Sequence, residues 1–281
     1  MLGKKKLAVI GVGNIGEALV SGLINQGQLA AGDITGTTGH QDTGKKVEKK
    51  LGIKLAESNK QAIKDKDIIL IAVKPQNMEI VLTEIGPSLS KEQLIISVAA
   101  SVSTTYIEER LAKPIPVVRA MPNTPALLNV GMTALTAGSH ALQSHLDTAQ
   151  AIFKSVGETV FVDENLMDGV TALSASGPAY LYVVIESLTE AGVKLGIPRD
   201  ISTLLAAQTM LGSARMILSS KAHPALLKDS VTTPAGCTID GLMELEEGKL
   251  RVTLIKAVVK AAERARELVL TQNTKKSGRT S

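Results

Sequence analysis

Three glycines carry the first chemical signal in this chain. In Leu7 to Leu19, LAVIGVGNIGEAL, a short apolar run passes through Gly11, Gly13 and Gly16 into a stretch of helical composition. That spacing suits a strand that must turn tightly, let a diphosphate approach its backbone and pack the next helix closely. A helix starting at Gly13 would offer the unpaired amides of Asn14, Ile15 and Gly16 to an anion. Further candidates stand where other apolar runs stop. Ala72, Val73, Lys74 and Pro75 end DIILIAVKP, Ala99 follows QLIISV, and Asn123 lies between two prolines in RAMPNTP. Each is expected at the carboxyl edge of a parallel sheet, where open α/β folds bind ligands. Lys74 reads equally as a cofactor contact or a solvated cation. Asn123 reads as a contact near a nicotinamide ring or as a turn residue in a proline-stiffened loop.

The end of the second strand bears on which dinucleotide is bound. An NAD site usually carries an acid there for the adenosine ribose, whereas this chain reads ITGTTGHQDTGKK. Asp33 precedes the strand and Asp42 follows an uncertain loop, so the expected acid is missing. Thr37, Thr38, Lys45 and Lys46 would then face a 2′-phosphate without repulsion. This favours NADP (as NADPH) over NAD. His40 reads as a solvated loop residue.

A second group of candidates is rich in hydroxyls. Ser176 stands in ASGPAY, where Gly177 and Pro178 mark a break or kink expected beside an interdomain cleft. Ser230, Val231, Gly236, Cys237 and Thr238 fall in LKDSVTTPAGCTIDGL, whose Pro-Ala-Gly-Cys turn would present backbone amides as a carboxylate nest. Cys237 has no histidine companion and reads as a structural thiol. Hydride transfer also requires one proton to be managed. No histidine or lysine lies between Asp168 and Glu190 to serve as the base of an alcohol oxidation. Reduction of a cyclic imine suits these residues better, because the nitrogen can arrive protonated.

The elements that must place these residues follow from periodicity. Strands are expected at 7–10, 34–37, 67–73, 93–98, 116–120, 131–136 and 159–162, with helices at 17–26, 45–51, 77–85, 106–111 and 142–153 between them. This is a doubly wound Rossmann domain over residues 1–163. From residue 164 to 271 the pattern becomes all-helical, with stretches at 167–173, 179–195, 201–219, 224–228, 239–246 and 251–271. The last has a wide apolar face through Leu254, Ile255, Val258, Val259, Ala262, Ala265 and Leu268, which suggests a dimerisation domain. Residues 272–281 have no apolar anchor and are expected to be a disordered tail.

Composition agrees with this division. The 281 residues are 44% apolar, enough for two domains, and the formal charge is +4. Six of the cations stand near the two ends, at Lys4, Lys5, Lys6, Lys275, Lys276 and Arg279, so the body is close to neutral and no nucleic-acid partner is expected. A single cysteine, no leader-like N-terminus and no run of about 18 apolar residues predict a cytoplasmic protein without a membrane span. The scattered histidines and lone cysteine offer no metal site.

Over Leu7 to Leu270 the chain resembles pyrroline-5-carboxylate reductase. The resemblance rests on GVGNIG, AVKP at 72–75, RAMPNTP at 119–125, SASGPAY at 174–180, GIPR at 196–199, AAQT at 206–209 and DSVTTPAGCTIDGLMELE at 229–246. The last motif is the most specific. The resemblance implies reduction of 1-pyrroline-5-carboxylate, an imino acid, to L-proline, the last step of proline biosynthesis. It also implies a homodimer, built in larger assemblies into a decamer of five dimers. By position it makes Thr238 the hydroxyl beside the imine nitrogen, with the backbone after Gly236 holding the carboxylate. Ser174-Ala175 stands where the family usually has Ser-Gly, Cys237 replaces a small residue or threonine, and the ITGTTGHQ loop is less typical. A beta-hydroxyacid dehydrogenase of the same build and a non-catalytic nucleotide-binding regulator are the alternatives.

Overall fold

Strands β1 (Leu7–Ile10), β2 (Ile34–Thr37), β3 (Lys54–Leu55), β4 (Ile68–Ile71), β5 (Leu94–Ser97), β6 (Val117–Met121), β7 (Gly131–Ala137) and β8 (Gly157–Phe161) form one sheet in a computed structural model. Residues 2–39 and 41–274 are described, and Met1, His40 and residues 275–281 lie outside them. The strand order is β3-β2-β1-β4-β5-β6-β7-β8, and every neighbouring pair is parallel except β6 with β7. The direction of winding reverses between β1 and β4, which places the switch-point crevice beside the Gly11 turn.

The alternation of side chains along the central strands explains why both faces are covered. Leu7 and Val9 enter one core with Leu19, Leu23 and Phe153. Ala8 and Ile10 enter the other with Ile69, Ile71, Met78 and Ile107. A strand buried on both faces must be apolar throughout, as IILI is in β4. Helices α1 (Asn14–Asn25), α2 (Gln41–Leu51), α3 (Asn59–Ala62), α4 (Met78–Ile85), α5 (Thr104–Glu108) and α6 (Gln143–Lys154) accompany the sheet. The sequence pattern anticipates seven of the eight strands. It misses β3 and α3, because a two-residue edge strand and a one-turn helix have too little length for periodicity to register.

The described residues up to Ser176, together with those at 261–274, form one compact unit, and Gly177–Lys260 form a second. The first unit therefore continues past Asp163, where strands give way to helices. The stretch expected as one helix over 167–173 divides into α7 (Met167–Val170) and a π-helical turn, Thr171–Ala175. The Ser176 amide closes that turn on the Thr171 carbonyl at 2.9 Å.

In the second unit, α8 (Gly177–Lys194) and α9 (Arg199–Ser220) form a hairpin, followed by α10 (Pro224–Ser230), α11 (Cys237–Glu247) and the start of α12 (Leu250–Thr274). Gly196, at φ +88°, ends α8 in a conformation that side chains resist. The hairpin is pinned by Ser202 Oγ, which donates to the Thr189 carbonyl at 2.8 Å, and by a forked Arg199–Glu190 pair at 2.6 and 3.3 Å. Among the described residues of this unit only Thr189, Ser202 and Ala206 are buried. α12 runs to Thr274, into the segment expected to be a tail, and the rest of that tail lies outside the described residues.

Candidate active site

The nucleotide half is built on the turn between β1 and α1. Gly11 adopts φ +88°, and a Cβ there would lie 2.9 Å from Val73 Cγ1 and 3.1 Å from the Ala72 carbonyl oxygen. A Cβ on Gly16 would lie 3.1 Å from the Gly11 carbonyl oxygen, so a side chain there would push the glycine turn away from α1 by a few tenths of an ångström. Above Gly13, by contrast, there is nothing within 4 Å of a built Cβ. The fold thus crowds two of the glycines, and the third leaves open space where a diphosphate would approach. α1 begins at Asn14 with Gly13 as a cap that has no side chain, so no hydroxyl or carboxylate there competes for its first amides. These features fit a dinucleotide, with Ala72 and Val73 against the turn and Lys74 exposed at the end of the same run. Pro75 opens a 3-10 turn over Pro75–Asn77.

The structure gives Thr37 a different part from the one its sequence position suggests. It is buried, its carbonyl accepts the Gly11 and Val12 amides at 3.1 and 2.7 Å, and its hydroxyl donates to Asn59 Oδ1 at 2.7 Å. Asn59 Nδ2 in turn donates to Glu84 at 2.7 Å. Thr37 therefore braces the glycine turn and has no hydroxyl proton left for a phosphate. Asn59 escaped notice because nothing local marks it; its role comes from a chain reversal through α3. Half-buried Thr38 lines a depression of about 620 Å³ with Gly44, Lys45, Glu48, Leu55, Ala56 and Glu57. Glu48 is engaged there with the Leu55 amide at 3.1 Å. Asp33 lies at the other end of β2, in the 3-10 turn that precedes it.

Ala99 and Asn123 also belong to the first unit. The Ala99 side chain is buried in the core, and its amide donates to Ser97 Oγ at 3.3 Å. The Asn123 side chain is likewise engaged within the protein: Oδ1 accepts the Met132 amide at 2.8 Å, and Nδ2 donates to the Ser174 carbonyl at 3.3 Å. Arg119 of the same motif is 2% exposed and donates to Glu164 Oε1 at 2.6 Å, while its Nε and Nη2 have no hydrogen-bond partner. A charged residue inside the apolar run PVVRAM is the signal that could have singled it out.

The substrate candidates of the second unit converge on the connection from α10 to α11. Ala235 takes φ +56°, and Gly236 caps α11 without a side chain. A Cβ on Gly236 would lie 2.4 Å from Thr233 Oγ1 and 3.1 Å from the Thr233 carbonyl oxygen, so a side chain there would have to displace that hydroxyl. The first amides of the helix belong to Cys237 and Thr238, as an anion nest demands. Hydroxyls that look alike in sequence differ here. Ser230 and Thr232 donate to the Leu227 and Lys228 carbonyls at 2.7 and 3.0 Å, whereas half-buried Thr238 has no hydrogen-bond partner among the described residues. Ser230 and Val231 are exposed, and so is Cys237. Ser176 lies in the first unit, at the end of the π-helical turn.

Residues 164–268 match a family model described as pyrroline-5-carboxylate reductase dimerisation, and residues 6–101 match one described as NADP oxidoreductase coenzyme F420-dependent. A pyrroline-5-carboxylate reductase of Methanosarcina acetivorans is 39% identical over 264 residues, 94% of this chain and 98% of that protein. The chain belongs to the pyrroline-5-carboxylate reductase family. A solved pyrroline-5-carboxylate reductase of Coxiella burnetii superposes with a TM-score of 0.88 at 36% identity, covering 94% of this chain and 98% of that one. The Plasmodium falciparum pyrroline carboxylate reductase, solved with NADP bound, gives 0.85 at 32% identity with the same coverage.

Family membership explains the bare surface of the second unit. Tyr182, Leu204, Leu218 and Met243 are all more than half exposed, and they lie within the dimerisation match. The protein is a homo-oligomer, and exposed apolar surface of this kind is what association between copies buries. Among the described residues, α9 is the one helix long and apolar enough to cross a membrane by length and composition. It lies inside the same match, and burial against other helices calls for a similar composition. No cluster of metal-ligating side chains occurs among the described residues.

Proposed function

We propose that this protein reduces 1-pyrroline-5-carboxylate to L-proline with NADPH, and less effectively with NADH, as the last step of proline biosynthesis. One observation carries the assignment of roles: α11 starts uncapped on Gly236, with an uncommitted Thr238 hydroxyl as its second residue. The amides of Cys237 and Thr238 bind the substrate carboxylate, using the partial positive charge of the helix start. The Thr238 hydroxyl holds the imine nitrogen, orienting the C=N carbon for attack. Ser176 is a further substrate contact, while Ser230 and Val231 flank the site. The nicotinamide, when bound, would supply the hydride that forms a second C–H bond at the C=N carbon while the π-bond pair passes to nitrogen, which keeps the proton with which it arrives.

On the cofactor side, the amides of Asn14, Ile15 and Gly16 receive the diphosphate over Gly13. Ala72, Val73, Lys74 and Pro75 line its approach, and the Ala99 backbone stands at the nicotinamide end. The preference for NADPH is supported by Thr37, Thr38 and Gly39, with no acid among them, at the end of β2, and by Lys45, which lines the Thr38 depression together with Glu48 and Glu57. The functional boundary falls at 163/164, where the matched dimerisation segment begins. The assembly is a dimer, five of which form a decamer, and the protein works in the cytoplasm.

Steady-state assays with the imine and both reduced nicotinamides test this reading. The expected result is turnover with a higher kcat/KM for NADPH. Consumption of a short keto acid in place of the imine, or nucleotide binding without turnover, would refute it. Thr238→Ala should lower kcat/KM by about a hundredfold, with NADPH affinity and fold unchanged. Unaltered kinetics would remove Thr238 from the mechanism.

A further inference from the structure

The sequence suggests that Asn123 touches the cofactor, but its hydrogen bonds point elsewhere. Pro178 has no N–H, so the Ser174 carbonyl, four residues earlier, loses the donor a continuous α-helix would give it. Asn123 Nδ2 stands 3.3 Å from that carbonyl oxygen and 3.5 Å from Ser174 Oγ. The other end of the amide accepts the Met132 N–H at 2.8 Å, which anchors it to the start of β7. The loop that carries Asn123 is itself set by Pro122 and Pro125 and closed by the Ala126 amide on the Asn123 carbonyl at 3.1 Å. The bonded carbonyl belongs to the π-helical turn Thr171–Ala175, a form of helix that often marks functional sites. Ser176 follows directly, with its amide bonded to the Thr171 carbonyl.

We infer that Asn123 is a positioning residue: its amide replaces the helix donor that Pro178 lacks, and so holds the π-helical turn that presents Ser176 to the substrate. The last link rests on the proposed contact between Ser176 and substrate. The hydrogen-bond relay itself does not. Both prolines and the amide thus serve one purpose, since a wandering turn would spread Ser176 over several positions and weaken substrate binding without touching the nucleotide site.

Asn123→Asp isolates the donor. A carboxylate keeps the size and can still accept the Met132 N–H, but it places an oxygen against the Ser174 carbonyl. In the full-length enzyme this variant should raise KM for the imine about tenfold and leave KM for NADPH unchanged. Without ligands, hydrogen exchange at Ser176 should accelerate. Adding Pro178→Ala returns an N–H to position 178, so N123D/P178A should recover most of the lost affinity and the slow exchange. If N123D loses its fold, the double variant should regain it. A rise in KM for NADPH alone, no change in either constant, or failure of P178A to restore the loss would overturn the proposal. Ser176→Ala separates the two claims. If S176A leaves the imine KM unchanged while the N123D and P178A pattern in exchange holds, the relay stands and the Ser176 contact falls.

Discussion

The two compact units of this chain solve the burial problem in different ways. The first encloses its apolar residues on both faces of a sheet, with Leu7, Ile69, Ile71 and Phe153 fully buried. In the second, Leu204 and Leu218 of α9 are 67% and 78% exposed, and the few buried residues of the unit are small. A parallel sheet must be covered by its own crossover helices, because its strands are apolar on both sides. A hairpin of helices has no such need and can leave its apolar surface for a second copy. The glycine turn accordingly stands on a self-contained scaffold, while the start of α11 stands in a unit with little buried surface of its own.

The strongest way to break this contrast is to charge the second unit. Leu204→Glu with Leu218→Glu should convert the oligomer to monomers in light scattering and abolish turnover, while NADPH binding persists. Retention of the oligomer would show that α9 is not part of the covered surface. In the first unit the largest effect should come from Glu164→Gln, which leaves the Arg119 guanidinium buried without its counter-ion. A loss of about 3 kcal/mol is expected, read by denaturant unfolding. Thr104 Oγ1 donates to the same carboxylate at 3.2 Å and would be disturbed with it. A change below a few tenths of a kcal/mol would mean that the pair is dispensable.

Gly11→Ala should cost about 2 kcal/mol, from a residue forced to positive φ against Val73. It should weaken NADPH binding and leave the oligomer intact, and calorimetry of both properties would expose any spread into the second unit. The smallest effect is expected at His145 in α6, where partial burial, followed by the charge of Lys5, holds the imidazole below its ordinary pKa. Its Nδ1 accepts the Leu142 amide at 2.9 Å, which requires the neutral ring. The unfolded chain therefore takes up a proton first as pH falls from about 6.5, so stability drops until the folded pKa is reached and then levels off. His145→Asn should flatten that part of the melting-temperature profile. An unchanged slope would assign it to another group.

Much of this molecule is legible in its sequence because local rules suffice. Unbroken apolar runs identify the central strands, Gly11 and Gly16 announce a tight turn and a close helix, and the run from Asp229 to Glu246 places Gly236 and Thr238 at the start of a helix. These features depend on neighbours within a few residues. What the tertiary structure alone decided is which polar groups are already engaged. Thr37 is bound to Asn59 and Asn123 to Ser174, partners 22 and 51 residues away. No spacing rule reports such pairings. A hydroxyl or an amide becomes available to a ligand only when the fold has left it without a partner, and that depends on contacts between segments that are remote in sequence.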